Sequence, residues 1–174
     1  CGNPLVNKIH QNVIACEKSN LHSILTDCPQ RNERMAWMND ATVRFEETPY
    51  NFDIGRLFPK VVRDIIATQR GDGMIADTAP YIVGCRPADP VCSSFLVAGL
   101  GALMHTGNKE IIEEAYEAFK AWENVLLERS DNYIVNYSHY GDWASPQGSC
   151  VSDEDAKSAV TPGILMSTGY SYYN

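Results

Sequence analysis

Between Ile54 and Ile66 the apolar residues Ile54, Leu57, Phe58, Val61, Val62, Ile65 and Ile66 recur at the spacing of one helix face. That period returns along the chain. Leu5, Ile9, Val13 and Cys16 repeat it behind Asn3-Pro4, a cap followed by proline at the first helical position. Ile112, Ala115, Tyr116, Phe119, Trp122 and Leu126 repeat it behind Asn108, with Glu110, Glu113, Glu114 and Glu117 near the helix N-terminus, where the dipole favours them. Asp89-Pro90 predicts a further helix running to about His105 before Gly107, and Thr161-Pro162 opens a last one. Pro59 lies inside the second stripe and should bend its first turns or delay its start, and Gly71 should close it. Ile75 to Ile82 and Tyr133 to Tyr137 are short enough to be loop or isolated strand. The pattern therefore predicts an all-α fold. With no Gly-rich phosphate loop and no strand–helix alternation, a nucleotide-binding α/β fold is excluded.

At 174 residues the chain has the size of one domain. No apolar run reaches the roughly 18 residues of a membrane span. Fourteen basic against 22 acidic residues give a net charge of −8. With no basic run, the chain lacks the clustered Lys and Arg that nucleic acid or an anionic membrane requires. The six cysteines (Cys1, Cys16, Cys28, Cys85, Cys92, Cys150) have no zinc spacing. They read as reduced, semi-buried thiols in a chain large enough to fold without staples. No calcium loop is recognisable, no histidine sits at metal-ligand spacing, and no cofactor or metal is expected.

Three long loops mix charge with aromatics: His22 to about Asp40, Asp72 to Arg86, and Ser130 to Ala159. Loops of this length in a helical domain are functional or disordered. The densest is Thr26 to Asp40, which holds Asp27, Glu33, Asp40, Arg31, Arg34 and Trp37. Such a set suits sugar recognition: carboxylates and Arg bond hydroxyls, and an aromatic plane covers the apolar face of the ring. The competing reading is a surface ion-pair loop. Glycoside hydrolysis adds a protonated carboxylic acid beside the leaving oxygen, for which Glu33 is the best placed. Asp27 and Asp40 would push its pKa up and Arg31 and Arg34 would push it down; spacing alone leaves the outcome open. In the third loop, Gly141-Asp142-Trp143 follows Tyr137, His139 and Tyr140 and fits either a second pocket wall or a buried Trp with an Asp-capped turn. Asp89 reads as a helix cap or as a further substrate contact.

Thr26-Asp27-Cys28-Pro29-Gln30-Arg31, continued by Glu33, Arg34, Trp37, Asp40 and Ala41, resembles the signature of bacterial α-L-rhamnosidases, inverting glycoside hydrolases with an (α/α)6 barrel. Asn3-Pro4-Leu5, Tyr50-Asn51-Phe52-Asp53, Asp77-Thr78-Ala79-Pro80, Gly141-Asp142-Trp143 and Thr161-Pro162 extend the resemblance over the whole chain. It implies that Glu33 is the general acid, that Asp27, Arg31 and Asp40 bind rhamnose hydroxyls, that Trp37 and Trp143 line the pocket, and that Asp89 and Asp142 belong to the substrate site. Asn32, Ala36 and Asn39 depart from the signature, and Pro87-Ala88 stand where a Gly-Trp is common. No residue matches the family's general base. An inverting pair needs its carboxylates roughly 6.5–9.5 Å apart to admit water. The expectation is therefore an incomplete toroid, residues 1–174 forming about the N-terminal half of the barrel, with long loops. The partners implied are a rhamnose-containing glycoside, the remainder of the barrel and, through uncovered inner faces, another copy of the chain. The aromatic-rich last helix stops at Asn174 without a closing signal, which points to a longer natural protein. The resemblance also implies a bacterial cytoplasmic or periplasmic location, the cytoplasm favoured. Two rivals are another (α/α)6 carbohydrate-active enzyme and a catalytically silent sugar-binding relative.

Overall fold

The computed structural model describes residues 1–143 and 161–174. Cys150 and the end of the third long loop lie outside them. The elements run α1 (Pro4–Asn20), α2 (Met38–Thr42), α3 (Thr48–Asn51), α4 (Leu57–Thr68), a 3-10 turn (Pro90–Cys92), α5 (Ser94–Thr106), α6 (Glu110–Glu128), β1 (Ser130–Asp131), β2 (Ile134–Val135) and α7 (Gly163–Tyr173). The fold is all-α, an incomplete (α/α)6 toroid with long loops. None of the described helices is long and apolar enough to cross a membrane.

Local chemistry sets most helix ends. The Asn3 side chain accepts from the Leu5 and Val6 amides, and Asn108 Oδ1 accepts from the Ile111 amide at 3.1 Å. Gly107, at φ 69°, closes α5. Pro59 delays rather than bends its helix: α4 starts at Leu57, so proline falls in the first turn, where no intrahelical N–H bond is lost. Two expectations are corrected. Gly71 does not close α4, which ends at Thr68. Gln69 turns extended there, and its side-chain amide donates to the Gly73 and Ala118 carbonyls. The helix expected from Asp89 is broken at Ser93 into the 3-10 turn and α5, and Asp89 makes no side-chain cap. Strands β1 and β2 form an antiparallel hairpin whose turn residues Asn132 and Tyr133 are left-handed. Around Ile75–Ile82 the only ladder contact among the described residues is an isolated bridge from Thr78 to Trp37.

The core lies among α4, α5 and α6. Phe58, Val62, Ile65, Phe95, Ala98, Ala102, Ala115, Trp122 and Leu126 are all fully buried. Each large one contributes roughly 1.5–3 kcal/mol. Helix α5 lies close on α4 because Gly101 has no side chain: a Cβ there would stand 2.6 Å from Phe58 Cε2. Helix α7 joins through Thr168, whose Oγ1 accepts from the Val135 amide at 3.1 Å, and through Asn174, which donates to Ser93 Oγ at 2.6 Å.

Two apolar faces stay uncovered among the described residues. On α1, Leu5 is 67% and Ile9 is 55% exposed. On α7, Leu165 and Tyr172 are exposed. The α1 stripe read from the sequence is thus a real helix face, but it packs on nothing described here. The inner turn of α1 is held by a polar contact instead: buried Glu17 accepts from Thr48 Oγ1 at 2.7 Å.

Glu123 on α6 carries a buried Oε1 without a hydrogen-bond partner, and burial alone pushes its pKa up. A raised carboxyl pKa means the folded state takes up a proton before the unfolded state does. The penalty is therefore full above the folded pKa and is relieved as pH falls through it. Glu123→Gln is expected to raise the Tm at pH 7, with the gain shrinking as pH falls through the folded pKa. Thermal melts of both proteins at several pH values check this.

Candidate active site

The stretch between α1 and α2 is pinned at both ends. At its start the Thr26 amide donates to Asn20 O at 3.0 Å and Thr26 Oγ1 donates to Asn20 Oδ1 at 3.1 Å. The Asp27 amide donates to Met35 O at 3.2 Å, closing residues 27–35 into a loop. Arg34 sits at φ 56°, a conformation disfavoured outside glycine and maintained only by its surroundings. At its end the Met38 amide donates to Asp77 O at 2.8 Å and the Ala79 amide to Ala36 O at 3.1 Å. The second long loop thus backs the first.

This loop borders a cavity of about 590 Å³, within the range of small-ligand sites. Asp27, Arg31, Glu33, Trp37 and Asp40 line it from one side, and Tyr140 and Trp143 line it from the third long loop. Arg31 donates to Glu33 Oε1 at 3.2 Å, and the Trp37 indole donates to Glu33 Oε2 at 3.1 Å. Arg31 is 66% exposed, so this ion pair is solvent-screened and weak. Burial pushes the Asp40 pKa up, and the charge of Asp27 adds to the rise. Tyr140 meets both Trp37 and Trp143 edge-on, each at 5.6 Å between ring centroids.

Among the described residues, one group of side chains has the spacing of a metal site. Single ligand atoms of Asp27, Cys28 and Glu33 lie within 4.8 Å of one another. The Cys28 thiol donates to Asp27 Oδ2 at 2.6 Å, and burial together with that carboxylate pushes its pKa up to about 11. Asp27 and Cys28 are thus bonded to each other, while Glu33 is held by Arg31 and Trp37. Cys1, Cys16, Cys28 and Cys92 are free thiols.

The structure brings together Glu33, Asp27, Arg31, Trp37, Asp40 and Trp143. Asp142 is half-buried and does not line the cavity. The cap reading of Asp89 is corrected: the residue is 2% exposed, and both of its oxygens are taken by backbone amides of residues 139–141. It neither caps a helix nor faces the cavity. His139 is a tie as well, its ring bonded to Pro87 O at 3.1 Å. Sequence reading missed Cys28, Gln30, Asn39 and Tyr140 as lining residues. For Tyr140 the signal was its place in the aromatic run before Gly141-Asp142-Trp143.

The model of the bacterial alpha-L-rhamnosidase 6 hairpin glycosidase domain matches residues 1–173. The chain belongs to this family. It is 29% identical over 168 residues to an α-L-rhamnosidase of Streptomyces avermitilis, covering 96% of this chain and 15% of that protein. It is 27% identical over 169 residues to one of an Alteromonas species, covering 97% and 18%. Among solved structures, the α-L-rhamnosidase from Dictyoglumus thermophilum superposes with a TM-score of 0.88 at 38% identity, over 99% of this chain and 19% of that one. The S. avermitilis enzyme, complexed with L-rhamnose, gives 0.84 at 26% identity, over 98% and 16%. The family chain described here therefore spans less than a fifth of the length of these relatives. Of the departures from the signature, Ala36 is buried in the core and Asn39 borders the cavity.

Proposed function

We propose that this chain supplies the N-terminal half of a six-hairpin barrel in a glycoside hydrolase that removes terminal α-L-rhamnose by inversion. The observation that carries this reading is the setting of Glu33. Its carboxyl stands in a cavity beside Asp27 and Asp40, with Trp37, Tyr140 and Trp143 on the walls. Rhamnose presents hydroxyls to the carboxylates and Arg31, and a methyl and C–H face to the aromatic rings. Glu33 protonates the glycosidic oxygen as the bond breaks. Rhamnose and the rest of the barrel are the partners of this chain, and the uncovered face of α1 favours such packing.

The general base is a carboxylate outside these residues. Asp27 is too close for that role, because its carboxylate oxygen comes within 4.8 Å of that of Glu33 and an inverting pair stands roughly 6.5–9.5 Å apart. A second reading takes Asp27, the carboxylate nearest to Glu33 in sequence and within that reach, as the nucleophile of a retaining enzyme, whose carboxyls stand about 5–5.5 Å apart. Against it, Asp27 Oδ2 accepts the Cys28 thiol and Oδ1 is buried. Hydrolysis of an aryl α-L-rhamnoside by the complete protein, followed by NMR, decides. First-formed β-rhamnose is expected. First-formed α-rhamnose would place Asp27 as nucleophile, and no turnover with good folding would move the assignment to another sugar or to a silent binding relative.

A further inference from the structure

Asp89 is a buried carboxylate with no cation paired to it among the described residues. Its charge is met by backbone. Oδ1 accepts from the His139 amide at 2.7 Å, and Oδ2 accepts from the Tyr140 and Gly141 amides at 2.8 and 3.3 Å. Successive amides converging on one anion form the nest that proteins use to hold phosphates. Here the anion is the protein's own. Gly141, at φ 59°, gives the backbone the left-handed turn that ends the nest. Further bonds lay the segment along residues 87–89: Tyr137 Oη donates to Ala88 O at 2.7 Å, and the His139 ring meets Pro87 O. Behind them, Asp77 accepts from the Asp89 amide at 3.2 Å. The segment so fixed carries Tyr140 and leads directly into Trp143, the two rings that form one cavity wall.

We infer that Asp89 is a positioning residue of the sugar site: it does not touch the sugar but anchors the loop that presents Tyr140 and Trp143 to it. This rests on the hydrolase reading above. A charged acceptor holds amides more strongly than a neutral one. Asparagine keeps one carbonyl oxygen and turns its own N–H groups toward amides that also donate, so Asp89→Asn should free the segment while filling the same space. The walls bind the ring in ground and transition state alike, so the loss should fall on KM.

The test uses the complete protein and has two arms. Hydrogen exchange of peptides covering residues 137–143 needs no activity. Asp89→Asn should raise exchange there and leave α4 and α5 unchanged. In the kinetic arm, with an aryl α-L-rhamnoside, KM should rise about tenfold or more while kcat stays within about threefold. Trp143→Ala should raise KM too, and the double variant should be little worse than Trp143→Ala alone, because the two act through one wall. Unchanged exchange, a collapse of kcat at unchanged KM, or strictly additive effects would overturn the inference. Should Asp89→Asn fail to fold, Gly141→Ala perturbs the same nest through its left-handed backbone and is read by the same two arms. A wild type without rhamnosidase turnover would defeat the hydrolase reading, while exchange still decides whether Asp89 anchors the segment.

Discussion

Glu33→Gln in the complete protein is expected to lower kcat on an alkyl α-L-rhamnoside by about 10²–10⁴, the usual contribution of a general acid. That corresponds to roughly 2.7–5.5 kcal/mol of barrier. An alkoxide leaves poorly without a proton, so this substrate exposes the full effect. On a nitrophenyl rhamnoside, whose leaving group needs little protonation, the loss should shrink. Glutamine keeps the shape of the side chain, and its carbonyl oxygen can still accept from Arg31 or from the Trp37 indole, which bond Glu33 at 3.2 and 3.1 Å. KM should therefore change little. Steady-state kinetics on both substrates checks the assignment. A uniform loss on both would mean that Glu33 positions the sugar instead of protonating it.

Trp122→Ala is expected to cost about 3–5 kcal/mol of stability, read as a lower denaturant midpoint with an unchanged slope. Trp122 is fully buried at the centre of the α4–α5–α6 core. Its indole donates to Ser93 Oγ at 2.8 Å, and Ser93 Oγ donates to Pro90 O at 2.7 Å. Truncation opens a large cavity and removes a donor at the break between the 3-10 turn and α5. Trp122→Phe keeps most of the volume and loses only the donor, so it should cost clearly less. Equal losses in the two variants would assign the stability to the hydrogen bond over packing.

The long helices α1, α4 and α6 were legible because each carries its own stripe, whereas the short α2 and α3 are too brief to show a period and were not read. The Ile54–Ile66 stripe needs no partner to be read, and Asn3 and Asn108 mark helix starts by side-chain chemistry that is local in sequence. The misreadings at Gly71 and Asp89 have a different origin. Gln69 ends α4 by reaching Ala118, and Asp89 is drawn from the cap position by amides of residues 139–141. Both contacts join positions far apart in the chain, and no local pattern encodes them. The site divides in the same way. Asp27, Arg31, Glu33 and Trp37 share one loop, Asp40 follows in the first turn of α2, and all five belong to one motif. The pairing of Trp37 with Tyr140, by contrast, depends on a fold that brings the third loop over the first.

The two halves of the cavity are made at different times. Glu33 and its neighbours leave the ribosome early, while Tyr140 and Trp143 follow only after α4, α5 and α6 have been synthesised. Non-local closure of this kind is slow compared with helix formation. A nascent chain carrying the acid loop but not yet residues 137–143 has helices but no pocket. On the function proposed above, sugar binding is a late event in biogenesis, and binding of free L-rhamnose by stalled nascent chains should begin only once Trp143 has cleared the exit tunnel.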